Sequence, residues 1–220
     1  MKVAGVDGWK GRWVCVFLDD GIFSEIEIFD SIEAISQQKK PEVIAIDVPI
    51  GLEEGEPRKA DTEARKLIGG RSSSVFPTPP SFCLDPKWSD YREANQESRR
   101  RYQRGINIQS FALMKYIREA DAVSHADSRI YETHPEVCFS CLKSSPLEYS
   151  KKTWNGQQER IELLKHAGII LPTYLDEEKG KIPPDDLLDA AVAAWSANRI
   201  ALGTAQALPN AEQRRNRIWF

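Results

Sequence analysis

Five carboxylates stand where a carboxylate is costly. Asp7 closes the run Met1-Lys2-Val3-Ala4-Gly5-Val6, Asp47 closes Val43-Ile44-Ala45-Ile46, and Glu132 follows Arg129-Ile130-Tyr131. Asp186 and Asp189 open an alanine-rich stretch near the C-terminus. The first three read as strand ends, where a charge must be paired, hydrogen-bonded or metal-bound. Carboxylates gathered at one end of a sheet are ligands for a hard cation, and Mg²⁺ or Mn²⁺ suits an all-oxygen set. Two such ions about 3.5–4 Å apart activate a water and stabilise the leaving oxygen in phosphodiester cleavage. The expected chemistry is hydrolysis at phosphate, with Asp7, Asp47, Glu132, Asp186 and Asp189 as catalytic and metal-binding residues.

Simpler roles compete for some of these acids. Asp7 precedes Gly8 and could form a turn, and Asp185 and Asp186 suit a helix N-terminus by charge and capping. Asp189 lies past the capping positions. At helical spacing Asp186, Asp189, Ala190, Ala193 and Ala197 share one stripe, whose small residues imply close packing against the sheet. A carboxylate on a packed stripe asks for a cation.

The elements that must position these acids follow from the pattern. Residues 2–7, 12–18 and 22–29 read as a three-stranded meander, with Asp19-Asp20-Gly21 as a hairpin signal. Ser31 can cap a short helix to about Gln38. Residues 43–47, without polar alternation, read as a strand buried on both faces. Residues 57–68 form a helix ending at Gly69-Gly70, and 71–90 a long polar, proline-rich loop. Helices are expected over 91–104 and 106–122, a strand at 129–132, and helices from His134, over 152–166 and over 185–202. This order predicts an α/β fold: a mixed sheet of an antiparallel meander plus parallel strands, flanked by helices. A crossover strand parallel to the first brings Asp7 and Asp47 side by side.

Composition narrows the function. With 220 residues and 41% apolar content the chain fits one large domain, 1–220, with a helical and loop insertion at about 57–128. The net charge of −3 excludes a global basic field for nucleic acid. Nucleic-acid contact would use local basic segments, at 98–104 and 214–217. Cys138 and Cys141 have CxxC spacing without a second pair, and with three histidines a zinc site is poorly supported. No apolar run approaches the roughly 18 residues of a membrane span. Without a signal-peptide pattern, a cytoplasmic, reduced protein is expected. Oligomeric state is not readable.

Several stretches together resemble the DUF429 family, predicted nucleases of the ribonuclease H-like fold. They are Gly5-Val6-Asp7-Gly8-Trp9-Lys10-Gly11-Arg12-Trp13-Val14, Ile46-Asp47-Val48-Pro49-Ile50-Gly51-Leu52 and Arg71-Ser72-Ser73-Ser74-Val75-Phe76-Pro77-Thr78-Pro79. Tyr131-Glu132-Thr133-His134-Pro135-Glu136, Ser150-Lys151-Lys152-Thr153 and Asp185-Asp186-Leu187-Leu188-Asp189-Ala190-Ala191 follow in order. The resemblance implies a ribonuclease H-like core, kin to resolvase-type nucleases, in which acids on strand one, strand four and the last helix bind two metals. Carried over, these are Asp7, Asp47, and Asp186 or Asp189, with Glu132 and Glu136 as further candidates. Arg65, Arg71, Ser73, Ser74, Lys151 and Lys152 are candidates for phosphate contacts, and His134 for proton transfer.

Two other functions fit the same residues. Asp7-Gly8-Trp9-Lys10-Gly11 can be read as the first phosphate hairpin of a nucleotide-dependent phosphotransferase of the actin and sugar-kinase superfamily. That reading lacks a second phosphate loop, and the chain is short for two such domains. A non-catalytic binding protein on the same fold would instead satisfy its acids with Arg and Lys partners.

Overall fold

The computed structural model describes residues 1–210 and 214–220. Residues 211–213 lie outside the described residues.

Strands β1 (Lys2–Trp9) and β2 (Arg12–Asp19) are joined by Lys10-Gly11, with φ of 48° and 77°. Two successive positive φ values give the tight turn whose twist matches the flanking strands. Asp20-Gly21 (50° and 80°) repeats the device before β3 (Ile22–Phe29). Such a short turn lets pairing run up to it, so β1 continues beyond residue 7. Asp7 lies within the strand, opposite Val14, and not at its end.

Ser31 caps α1 (Ile32–Gln38), accepting from the Ala34 N–H at 3.1 Å. The chain returns as β4 (Val43–Ile46), parallel to β1 with Val6 opposite Ile46. The Asp47 N–H donates to the Val6 carbonyl at 2.9 Å and carries the ladder one residue further. Strand β5 (Ile130–Glu132) lies parallel on the far side of β4, giving the order β3-β2-β1-β4-β5.

Side chains alternate across the pleat, so each strand feeds two cores. Val3 and Ala45 pack with Ala190, Ala193 and Ala197 of the last helix, α8 (Pro184–Ala201). Ala4, Val6, Ile44, Ile46 and Ile130 pack on the opposite face, against Ile32 and Ile35 of α1. Met114, Ile117 and Ala120 of α5 (Met114–Ala126) join them. α8 lies directly on β1: a Cβ at Gly5 would stand 1.9 Å from the Ala194 nitrogen.

Between β4 and β5 run α2 (Lys59–Ile68), three short 3-10 turns in the proline-rich stretch, and α3 (Tyr91–Tyr102), capped by Asp90. The helix expected over 106–122 is two, α4 (Ile108–Ala112) and α5, divided at Leu113. After β5 come α6 (Pro135–Lys143), with Pro135 in its first turn, and α7 (Trp154–His166), capped by Thr153. The Cys138 thiol is buried against the Thr133 hydroxyl at 2.9 Å, and burial pushes it up to about 12. It packs, as its place on a helix implies.

A terminal hairpin, β6 (Ala207–Leu208) with β7 (Ile218–Trp219), was not legible. Two-residue strands carry no measurable period. Trp219 bridges in parallel to Thr133, and Ile218 and Phe220 are buried. The apolar end docks on its own fold.

Candidate metal centre

Asp7, Asp47 and Asp189 each present an oxygen, and the three oxygens lie within 4.8 Å of one another. Three local causes produce this. The β1–β4 register sets Asp7 beside Asp47. Alternation puts both on the face that carries Val3 and Ala45, the face covered by α8. The missing side chain at Gly5 then lets α8 descend until Asp189 reaches them. Asp7 is further held by the Gly8 N–H, which donates to Oδ1 at 2.7 Å. Tyr116 roofs this turn, its ring against Gly8 and its hydroxyl accepting from the Gly11 N–H at 2.7 Å.

Asp189 is 1% exposed. Its Oδ2 accepts from the Lys151 ammonium, while Oδ1 is buried without a hydrogen-bond partner. Crowding shows in the acid strengths. Burial and then the Asp47 charge raise the Asp7 carboxyl well above the usual range. Burial and then Asp189 push Asp47 up to about 8. Burial, with Asp185 alongside, brings the half-buried Asp186 to about 6. Burial raises Asp189 despite Lys151. A single ammonium does not neutralise this group.

The acids form part of a cleft of about 470 Å³ whose walls include Val75, Thr78, His134, Lys151 and Asp186. Glu132 also borders it but is not in the cluster. It shares its side of the sheet with Ile46, its register partner, and Ile130, away from α8. There it forms an ion pair with Arg58 and accepts from the Ile50 N–H at 2.7 Å. Arg58, 1% exposed, also bonds Asp61 at 2.8 Å and the Gly51 carbonyl at 3.0 Å. Sequence reasoning missed Arg58 and Asp61. An arginine just before a helix looks solvated, and its partner is 74 residues away. Glu136 is paired with the buried Arg160 at 2.7 Å, also outside the cluster.

The phosphate candidates divide. Arg65 is spent on the Val75 carbonyl, and Arg71 on the carbonyls of Leu147 (3.2 Å) and Glu148 (2.6 Å). Ser74 donates to the Arg71 carbonyl at 2.8 Å, whereas Ser73 is exposed at the cleft. Lys152 borders the cleft with a side chain 71% exposed, and contacts Asp185. Burial lowers the His134 pKa; its Nε2 lies 3.4 Å from the Ser74 carbonyl and its buried Nδ1 has no partner. The basic segments are largely engaged within the fold. Arg100 and Arg101 pair with Glu97, Arg214 donates to the Ile130 and Ser124 carbonyls, and Arg215 pairs with Asp121 at 2.5 Å.

A divalent cation fits this donor set. The ligands are all carboxylate, one buried oxygen lacks a partner, and the negative charge exceeds the single ammonium that meets it.

Three antiparallel strands followed by two parallel ones, flanked by helices and carrying acids on β1, after β4 and on α8, make this a mixed-sheet α/β protein of the class expected. The chain belongs to the DUF429 family, described as a protein of unknown function, whose model matches residues 5–214. No curated protein matches it. Among solved structures it is similar to Thermus thermophilus RuvC, with a TM-score of 0.42 and 11% identity over 93% of this chain and 98% of that one. T. thermophilus RuvC in complex with a Holliday junction substrate gives a TM-score of 0.42 and 12% identity over 93% and 97%. No helix among the described residues is long and apolar enough to cross a membrane.

Proposed function

We propose that this protein is a divalent-metal-dependent nuclease, cleaving phosphodiester bonds in DNA or RNA with Mg²⁺ or Mn²⁺. The observation that carries it is the convergence of Asp7, Asp47 and Asp189 around an unpartnered carboxylate oxygen. These three would hold the metal, with Asp186 at the rim. When bound, a divalent ion supplies Lewis acidity at phosphate and a water of lowered pKa. The chain's own groups do the rest. Lys152 and the Ser73 hydroxyl meet the substrate phosphates at the cleft. His134 borders the cleft and is the candidate for proton transfer. Glu132 and Arg58 fix the loop after Asp47 through Ile50 and Gly51.

The test is cleavage of a panel of linear and branched DNA and of RNA, with Mn²⁺ and with EDTA. Mn²⁺-dependent cleavage lost in Asp47→Asn, with the fold intact, supports the reading. Equal cleavage by Asp7→Asn and wild type would sink it.

The Lys151–Asp189 and Lys152–Asp185 ion pairs favour a second reading, a non-catalytic binding protein whose acids are satisfied internally. It predicts no uptake of Mn²⁺ at millimolar concentration.

A further inference from the structure

Lys151 reaches the acid cluster from a fixed stretch of backbone. Its loop, between α6 and α7, is fastened from beneath. Arg160, completely buried, donates to the carbonyls of Tyr149 at 3.2 Å and Gly156 at 2.8 Å. Glu159 accepts from the backbone N–H groups of Glu148 and Tyr149, both at 3.2 Å. On the other side, the Thr153 hydroxyl donates to the Ser150 carbonyl at 2.8 Å. Gly156 lies so near that a Cβ there would stand 1.9 Å from that same carbonyl oxygen. The backbone flanking Lys151 is thus held on both sides while the ammonium bonds Asp189 Oδ2.

We infer that the Lys151 ammonium fills the second cation position of this centre, so that the chain takes one divalent ion and not two. The inference rests on the metal-centre reading above. Asp189 divides its oxygens accordingly: Oδ2 serves Lys151 and Oδ1 has no protein partner. Charge agrees with the division. Fully ionised, as metal ligands must be, Asp7, Asp47, Asp186 and Asp189 bring four negative charges, and Lys151 cancels one. One divalent ion then leaves a single negative charge. A second would have to take Asp189 Oδ2 from Lys151 and stand beside an ammonium whose loop cannot withdraw freely. A lysine ammonium is a compact point charge, suited to standing for an ion among oxygens.

The experiment counts Mn²⁺ bound per chain, from the electron paramagnetic resonance signal of free Mn²⁺ during titration. Wild type should bind one. Lys151→Met, which keeps the length and drops the charge, should bind two, and Lys151→Arg should stay at one. Circular dichroism confirms that each variant is folded. Two ions in wild type overturn the role of Lys151 and leave the metal centre standing. One ion in both wild type and a folded Lys151→Met also overturns it. No uptake by wild type removes the metal centre, and this inference with it. Should Lys151→Met not fold, Lys151→Gln is counted in its place, and the wild-type count still decides.

Discussion

Gly5 on β1 and Ala194 on α8 meet backbone to backbone, so close that a Cβ on Gly5 would lie 1.9 Å from the Ala194 nitrogen and 2.1 Å from the Ala190 oxygen. Neither obstacle is a side chain that can swing away. Gly5→Ala must lift α8 from the sheet and Asp189 from its partners. Overpacking typically costs about 1–3 kcal/mol, and this backbone clash should reach the upper end or beyond. Urea denaturation should show that loss, and Mn²⁺ titration a weakened site.

The crowded acids should make the metal-free protein less stable than it could be. Asp47→Asn removes one of three neighbouring charges, and should raise metal-free stability by on the order of 1 kcal/mol while abolishing Mn²⁺ uptake. Thermal melts in EDTA and in Mn²⁺ check both halves. A variant less stable than wild type in EDTA would contradict the crowding.

The same crowding fixes a pH dependence. A carboxyl whose folded pKa exceeds its unfolded value of about 3.9 holds its proton more tightly when folded, so stability falls as pH rises between the two values. With Asp47 at about 8 and Asp186 at about 6, the window runs from about pH 4 to pH 8. In EDTA the protein should melt higher near pH 5 than near pH 8. Mn²⁺ should raise the melting temperature more at the upper pH, where the ligands are ionised.

Arg58 and Glu132 form a buried pair, 1% and 4% exposed. Arg58→Met leaves Glu132 and Asp61 without their cation, a loss of about 3–5 kcal/mol. Glu132→Gln should reduce stability while leaving the number of bound Mn²⁺ ions unchanged. A fall in that number would instead make Glu132 a ligand.

Lys152 and Arg71 separate binding from support. Lys152→Ala removes a mostly exposed charge, so it should weaken nucleic-acid binding and reduce the salt slope by about one, with a modest loss of stability from its ion pair with the buried Asp185. Arg71→Ala loses two carbonyl partners and should cost on the order of 1–2 kcal/mol. Binding at varied salt, alongside thermal melts, tells the two apart.

The meander, the crossover strand and α8 were legible because each carries a long, clean period. Asp7 and Asp47 were legible for the same reason: parallel pairing of two apolar runs leaves their following acids side by side. Asp189 showed itself by lying on an alanine stripe too far along the helix to be a cap. Glu132 follows the same strand-end rule, yet sits elsewhere. Its register with Ile46 turns it to the other face of the sheet, and register between strands so far apart in the sequence leaves no local mark. The break at Leu113 and the two-residue strands of the terminal hairpin were equally silent.

That terminal hairpin reaches further than its size suggests. Asn216 donates to Glu53 from 163 positions away, its N–H bonds the Ile50 carbonyl, and Arg215 holds Asp121, which in turn receives the Gly51 N–H. The loop that follows Asp47 is therefore clasped by some of the most distant residues in the sequence. Contacts so remote close late, after the intervening chain has collapsed. An acid cluster finished in that order would be withheld from every half-folded copy of the protein.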